Sequence, residues 1–523
     1  MRNALGINLI VNPEYATACE ISRILRFPAA IKTETFAKGR IELIEFNISS
    51  DNALCGKAIF EIYKKFKIKL LICAVQRGNE VYIPNGDFVI ESGDKLHITA
   101  SHRDVAKFMR EIGVINTKVK TAIIIGGGAS GLMCAITAKK HDRSKKIAII
   151  EKNDRLGKKL MSTGNGRCNL TNHCISPDKY VGSFKKQSKK IFERFSGDEM
   201  ANIFKNLGLL SFYDNEGRYY PISKHAASVL DVLRLQVETL GIDVFTKQNV
   251  NSIKKVSNGF NISSDDSEEK YDFICNKLVI ANGSKAAPKL GGNASAIDYL
   301  KNFGHKVVSF SPALCPVKVK SDVLKILKGL RVAGKAQLYG EHGRLIKEET
   351  GEIQFTENSL SGICVFNLSL FAKQNDKIVL DLLPDYSENE LIKIIRQHIS
   401  LFSDLPCEQL LTGIFQKRIG QAILKISRVD LSKICSKLSK DEVSGICKTI
   451  KSMSFTVSGK EDFSHAQCAL GGVLGKEIDE NTMMSKIVKN LFICGEVIDL
   501  CGECGGFNLH FAFAGGIIAG ENL

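Results

Sequence analysis

Gly126, Gly128 and Gly131 form a G-x-G-x-x-G turn directly after the apolar run Thr121–Ile125. An amphipathic segment, Leu132 to Lys140, continues from the turn. The next apolar run, Ile147–Ile150, delivers Glu151 20 residues beyond Gly131. Each of these positions has a physical job in holding a dinucleotide. Gly126 permits a tight turn, Gly128 lets the backbone approach a pyrophosphate, and Gly131 lets helix and strand pack closely. Ala129 and Ser130 open the helix, whose free N–H groups and positive dipole end face the phosphates. Glu151 can accept hydrogen bonds from both ribose hydroxyls of an adenosine, and Lys152 follows it in the same segment. The strand before the turn, the helix after it and the spacing of the acid together predict a bound dinucleotide.

Four further segments agree with a flavin. The run Lys158–Asn172 is glycine-rich and polar, and it follows the Glu151 strand closely. Gly164, Gly166, Cys168 and Asn169 could line pyrophosphate and isoalloxazine, with Arg167 supplying positive charge; an ordinary surface loop is the bland alternative. Lys277–Ala281 is a buried strand that leaves through the turn at Gly283, so Ala281 and Gly283 can press backbone against the cofactor, or simply end a strand. Asp243–Val250 reads as one strand, with the Val250 backbone toward adenine. In the C-terminal run, the strand Leu491–Cys494 ends in Gly495 and Glu496, and an acid there can bind ribityl hydroxyls. Gly505, Gly506, Phe507 and Asn508 then start a helix of small residues whose N-terminus can point at the pyrimidine edge, stabilising negative charge on the reduced ring.

No catalytic residue is fixed by these patterns. His510 is a candidate proton donor, with a buried, satisfied imidazole as the competing reading. Cys501 and Cys504 form a C-x-x-C, the spacing of a dithiol pair, in a glycine-rich loop where packing is the competing role. Cys168 reads as a small packing residue. The ten histidines make no cluster of metal-ligand spacing, so no metal is expected.

The elements that must position these residues divide the chain. At 523 residues it exceeds one ordinary core. Hydrophobic content of 44% and charged content of 24% are those of a globular protein, and no apolar run is long enough to span a bilayer. Sixteen scattered cysteines without framework spacing, and no signal peptide, place it in the cytoplasm. The net charge of +16 is spread along the chain. Its densest run, Lys185–Lys190, lacks interleaved aromatics and reads as a solvated face, so no nucleic-acid partner is expected. Residues 1–116 read as a small α+β module, with strands at Ile41–Phe46, Leu70–Gln76, Val81–Ile83 and Lys95–Ala100. Helical spacing covers Ala53–Phe66, and a closing helix starts at Ser101 or Asp104 and runs to about Ile112. After a linker at Asn116–Lys120, the expected order is an α/β dinucleotide domain over 121–311, an inserted β then α segment over 312–455, and the domain's second part over 456–523. Only one G-x-G-x-x-G follows a strand, so a second Rossmann domain for NAD(P)H is absent. NAD(P)H is then expected only as a transient electron donor, with oxygen as an alternative second substrate.

Two resemblances add to this reading. The first module resembles the C-terminal ligand-binding domain of TrkA-type potassium-uptake regulators. The resemblance rests on Ile41–Phe46, Gly56-Lys57, Ala74–Arg77, Ile83-Pro84, Gly93-Asp94 and the closing helix. Residues 7–40, with Asn12-Pro13-Glu14 and Arg26-Phe-Pro28, resemble only the tail of that family's nucleotide-binding domain, whose glycine loop is missing. The resemblance implies a small ligand or a potassium-transporter partner. Residues 121–523 resemble the BaiN-type flavoproteins, also called the aminoacetone-oxidase-like or YhiN family. The matching motifs are Gly126–Gly131, Gly164–Asn169, Tyr220–Ser223, Phe355-Thr356 with Leu360–Gly362, Gly471–Val473, Thr482–Lys486, and Gly495-Glu496 with Gly505–Asn508. That resemblance implies noncovalent FAD in a Rossmann-like domain and an inserted β-barrel plus helical domain over the substrate. It also implies hydride exchange with a small organic substrate of enone or amine type. The chain departs from the pattern at Glu357, where many relatives carry His, at Asn282 in place of Thr, and at His510 in place of Gln. The competing function is a flavin-based redox sensor linked to potassium uptake.

Overall fold

The computed structural model describes residues 32–36, 41–50, 52–66, 69–101, 104, 105, 108, 112, 117–265 and 270–523. Two compact units divide the chain, Met1–Lys118 and Val119–Leu523. The expected resemblance over residues 7–31 and most of the closing helix lie outside the described residues.

The first unit is a five-stranded antiparallel sheet built from β1 (Lys32–Phe36), β2 (Ile41–Asn47), β3 (Leu70–Arg77), β4 (Glu80–Tyr82) and β5 (Lys95–Ser101), in the order β1-β2-β5-β3-β4. Alternation gives β5 one buried face, Leu96, Ile98 and Ala100. Helix α1 (Ile59–Phe66) turns Ile59, Ile62 and Phe66 into the same core. It starts six residues later than the spacing from Ala53 suggests, because Gly56 takes a left-handed φ of 76° and turns the chain before the helix begins. Asp94 is fully buried and holds Arg77 through paired bonds of 2.7 and 2.8 Å.

The second unit centres on a seven-stranded sheet. Its strands are β6 (Thr117–Ile125), β7 (Ile147–Ile150), β8 (Asp243–Phe245), β9 (Asn249–Val256), β10 (Gly259–Asp265), β11 (Lys270–Ile280) and a late strand, β20 (Leu491–Ile493). The order is β8-β7-β6-β11-β10-β9, with β20 also paired to β11. β8, β7 and β6 run parallel, as do β11 and β20. Ala122–Ile125 and all of β7 are buried, as continuous apolar strands covered on both faces must be. Helix α2 (Ala129–His141) leaves the end of β6. The single strand expected over Asp243–Val250 is two. Lys247 takes a φ of 58°, which breaks the run and sends β8 and β9 to opposite edges of the sheet.

β12 (Val307–Ala313) pairs with β19 (Cys468–Val473). Between them lies a closed six-stranded barrel made of β13 (Val317–Lys320), β14 (Arg331–Tyr339), β15 (Leu345–Phe355), β16 (Ser359–Ser361), β17 (Lys377–Asp381) and β18 (Met453–Lys460), ordered β13-β16-β15-β14-β17-β18. Its interior holds Ala336, Leu338, Ile353, Phe355, Ile378, Leu380, Phe455 and Val457. Helices α3 (Glu388–Leu401), α4 (Lys417–Ile426) and α5 (Lys440–Lys451) fill the connection from β17 to β18. Capping boxes at Ser387/Glu390 and Ser439/Glu442 begin α3 and α5. The insertion is therefore β-α-β rather than β then α: β18 returns after the helices to close the barrel, and it runs past the expected boundary at 455. The chain ends in α6 (Phe507–Glu521), whose Gly516 and Gly520 lie directly against the backbone of α2 at Ser130 and Cys134.

Candidate dinucleotide and substrate cleft

The glycine turn is set by close approach. A Cβ on Gly126, at φ 107°, would meet Ala281 O at 2.4 Å, and one on Gly131 would meet Gly126 O at 1.9 Å. A Cβ on Gly128 would meet nothing within 4 Å. Gly128 begins α2 without a side-chain cap, so Ala129, Ser130 and Gly131 present first-turn N–H groups over that open space. Glu151 is buried. Its Oε2 accepts the Gly127 N–H at 2.8 Å, while its Oε1 accepts the Asn153 backbone N–H at 2.8 Å and Nδ2 at 2.7 Å. The carboxylate thus ties the turn to β7. Lys152, the next residue, is exposed. Gln248 donates its N–H to Glu151 O at 3.0 Å, which brings the start of β9, and with it Val250, to this end of the sheet.

The loop Leu160–Gly166 winds into a run of left-handed residues, Gly164 (φ 57°), Asn165 (53°) and Gly166 (79°), followed by Cys168 (58°). Three non-glycine-type constraints meet here: Asn165 and Cys168 are held in the left-handed region, and Asn169 Oδ1 is buried without a hydrogen-bond partner. Arg167 lies over the Tyr220 ring at 5.8 Å. Cys168 is fully buried, and burial pushes its thiol up to about 12, the behaviour of a packing residue.

The C-terminal run meets both of these regions. A Cβ on Gly495 would lie 2.4 Å from Ser130 Oγ. Glu496 Oε2 accepts from Lys159 Nζ at 2.6 Å, and its Oε1 accepts from the Ala469 N–H at 3.1 Å. Gly283, at φ 77°, lies beside the same carboxylate, and Ala281 donates its N–H to Ile125 O at 2.9 Å. Gly506, at φ 98°, would put a Cβ 2.4 Å from Thr171 O and 2.6 Å from the unpaired Asn169 Oδ1. It starts α6 without a side-chain cap. Asn508 clamps the turn through bonds of 2.8 Å to both the N–H and the C=O of Gly502, and Phe507 packs edge-on to Tyr180. Residues 126–131, 151, 164–169, 281–283, 495–496 and 506–508 therefore converge. Two uncapped helix starts, open space over Gly128 and an unpaired buried amide oxygen fit the polar groups of a dinucleotide.

His510 lies in the first turn of α6. It is fully buried, with Nδ1 2.8 Å from Thr171 Oγ1 and its ring against Phe192; burial lowers it to about 3, so it stays neutral. The C-x-x-C does not pair with itself. The Cys501 thiol donates to Gly502 O at 3.7 Å, and the neighbouring Cys468 thiol together with burial raises it well above the ordinary thiol range. Burial also raises Cys504. Glu357 is exposed and pairs with Lys328 at 2.6 Å.

Sequence reasoning passed over Lys159, whose partner Glu496 is 337 residues away, and Glu503. Buried Glu503 takes Lys179 at 3.1 Å and Lys347 of β15 at 2.6 Å, so the barrel is tied to the C-terminal run. Only the acid-after-glycine pattern at Glu496 hinted at such a pair.

The fold and this convergence define an FAD-dependent oxidoreductase with a Rossmann-type cofactor domain and an inserted barrel. Residues 120–522 match the HI0933-like protein Rossmann domain, and the chain belongs to that family. Residues 43–113 match the TrkA-C domain. The chain is 33% identical over 406 residues to the 3-dehydro-bile acid delta(4,6)-reductase of Clostridium scindens, covering 76% of this chain and 97% of that one. It is 25% identical to the ribosomal RNA dihydrouridine synthase of Escherichia coli, covering 77% and 97%. A Trk system potassium uptake protein TrkA homolog of Methanosarcina mazei is 28% identical over 167 residues, 32% of this chain and 34% of that protein.

Proposed function

We propose that this protein reduces a carbon–carbon double bond conjugated to a carbonyl. The observation that carries the reading is the meeting of the opening strand–turn–helix with the chain's last 30 or so residues: Ser130 against Gly495, Lys159 on Glu496, and Asn169 against Gly506. Bound there and reduced, the flavin would supply two electrons as hydride. The N–H groups at Ala129, Ser130 and Gly131 hold its pyrophosphate, Glu151 its adenosine ribose and Glu496 its ribityl chain. Gly506, Phe507 and Asn508, with Gly164, Gly166, Arg167 and Asn169, would hold its isoalloxazine.

The names of the two enzyme relatives support the substrate class. A Δ4 double bond beside a 3-keto group and the C5=C6 bond of uridine beside its C4 carbonyl present the same acceptor to a hydride. An enone is therefore favoured over an amine. NAD(P)H visits as donor rather than residing, and the small ligand or transporter partner expected for residues 1–116 is a regulator of this activity. The free thiols among the described residues suit a cytoplasmic setting. The redox-sensor reading is less favoured, because the enzyme relatives match along 97% of their lengths.

The test starts with purified protein, which is expected to be yellow. After anaerobic reduction by NADPH or dithionite, reoxidation is followed with 4-androstene-3,17-dione, a uridine-containing RNA, a primary amine and oxygen in turn. Reoxidation by a conjugated carbonyl supports the proposal; a colourless protein that takes up no FAD, or a flavin that only oxygen reoxidises, sinks it.

A further inference from the structure

Lys460 ends β18, opposite Val317 of β13. Its ammonium makes one long hydrogen bond, 3.4 Å to Pro312 O, and the groups acting on its charge are the Cys315 and Cys501 thiols. Four other lysines hold a carboxylate: Lys159 holds Glu496, Lys179 and Lys347 hold Glu503, and Lys318 holds Glu461 at 3.3 Å; Lys285 instead lies over the Phe463 ring at 5.9 Å. Glu461, next in sequence, also accepts from Ser359 Oγ at 2.7 Å. Lys460 is left with donors to spare. Burial lowers its basicity, which marks an ammonium short of compensation.

Cys315, beside it, belongs to an apolar cluster. Ala286, Cys315, Ala466 and Ala469 form one buried cluster, edged by Phe310 and Phe463. Ala469 is the residue whose N–H reaches Glu496, and Cys501 immediately precedes the glycine turn that starts α6. An apolar wall beside an uncompensated cation, Lys460, with a second ammonium, Lys285, over Phe463 at its edge, suits an apolar body carrying an electron-rich oxygen.

We propose that Lys460 is a catalytic residue that holds the carbonyl oxygen of the substrate. The inference rests on the conjugated-carbonyl reading above and names the group that would polarise the acceptor. Hydride given up by the reduced flavin, which is thereby oxidised, would add to the β-carbon, the π pair of the C=C bond moving to join Cα to the carbonyl carbon and the C=O pair moving to oxygen. The Lys460 ammonium stabilises that oxyanion by a charged hydrogen bond. A proton from water on the α-carbon then restores the carbonyl, so two electrons and two hydrogens are gained in all.

Two measurements on the full-length holoprotein test this. The first needs no turnover: the oxidised enzyme is titrated with 4-nitrophenol, whose anion is a stable planar mimic of an enolate and absorbs visible light. Wild type is expected to bind the anion, and Lys460→Met to weaken binding by about 30-fold, the size of one hydrogen bond to a charge, with Lys460→Arg restoring most of it. The second follows reoxidation of dithionite-reduced enzyme by 4-androstene-3,17-dione. Lys460→Met should slow it by a factor of about 100, while FAD content and the rate with oxygen stay at wild-type values. Wild-type enzyme that binds no phenolate, equal binding by wild type and Lys460→Met, or a Lys460→Met enzyme that loses FAD or slows equally with oxygen, would each overturn the assignment. If the steroid is inert but phenolate binding depends on Lys460, the anion site stands and the enone reading fails.

Discussion

Gly128 and Gly131 sit three residues apart in one turn and answer to different constraints. Gly131 is required by the fold, since a methyl there would collide with Gly126 O at 1.9 Å; Gly128 faces open space that the fold leaves unused. Gly131→Ala is therefore expected to lower stability by about 3 kcal/mol or more, read by urea unfolding of the FAD-free protein. Gly128→Ala should keep apoprotein stability and lose FAD affinity, read by flavin fluorescence. Equal effects of the two variants on both readouts would contradict this division of labour. His510 offers a test through pH. Its folded value, about 3, lies below the ordinary 6.5, so the unfolded chain takes up the proton first as pH falls. The stabilisation is whole above about pH 6.5 and is lost progressively from there toward pH 3. Between pH 7 and pH 5, wild type should lose about 2 kcal/mol more than His510→Gln, measured by paired denaturant titrations.

At the scale of elements, the barrel shows how far local pattern reaches. The strands of Pro312–Leu383 and the helices of Ser387–Ser452 were legible from glycine turns and 3.6-residue spacing. That Met453–Lys460 belongs with the strands preceding the helices was not, because closure depends on pairing with β13 and β17 across more than 70 residues. Glu503 is the tie between this barrel and the C-terminal run. Glu503→Gln removes the charge facing Lys347 and Lys179 but leaves Lys347 its second partner, Glu349, at 3.0 Å. A loss of about 1–3 kcal/mol is expected, seen as faster proteolytic cleavage near residues 501–506, with FAD still bound.

For the whole molecule, each unit has its own core: Ile44, Phe46, Leu54, Val75 and Ile98 in the first, the β6–β7–β11 sheet and the barrel in the second. A protein comprising residues 117–523 is accordingly expected to fold, hold FAD with the affinity of the full chain and reduce the same acceptors. Calorimetry and stopped-flow reoxidation check this; an unfolded or colourless product would show that the second unit depends on the first.

Short-range chemistry was written into the residues themselves. The glycine turn after an apolar strand, Glu151 at its spacing, and the glycines before α6 each impose a conformation within about 30 residues, and local sterics are enough to read them. What the tertiary structure alone decided is which distant groups meet. Lys159 finds Glu496, Glu503 takes both Lys179 and Lys347, and Lys460 is left uncompensated beside an apolar wall. Those outcomes follow from sheet order and barrel closure, in which residues hundreds of positions apart compete for the same partners, and no spacing along the chain encodes the winner.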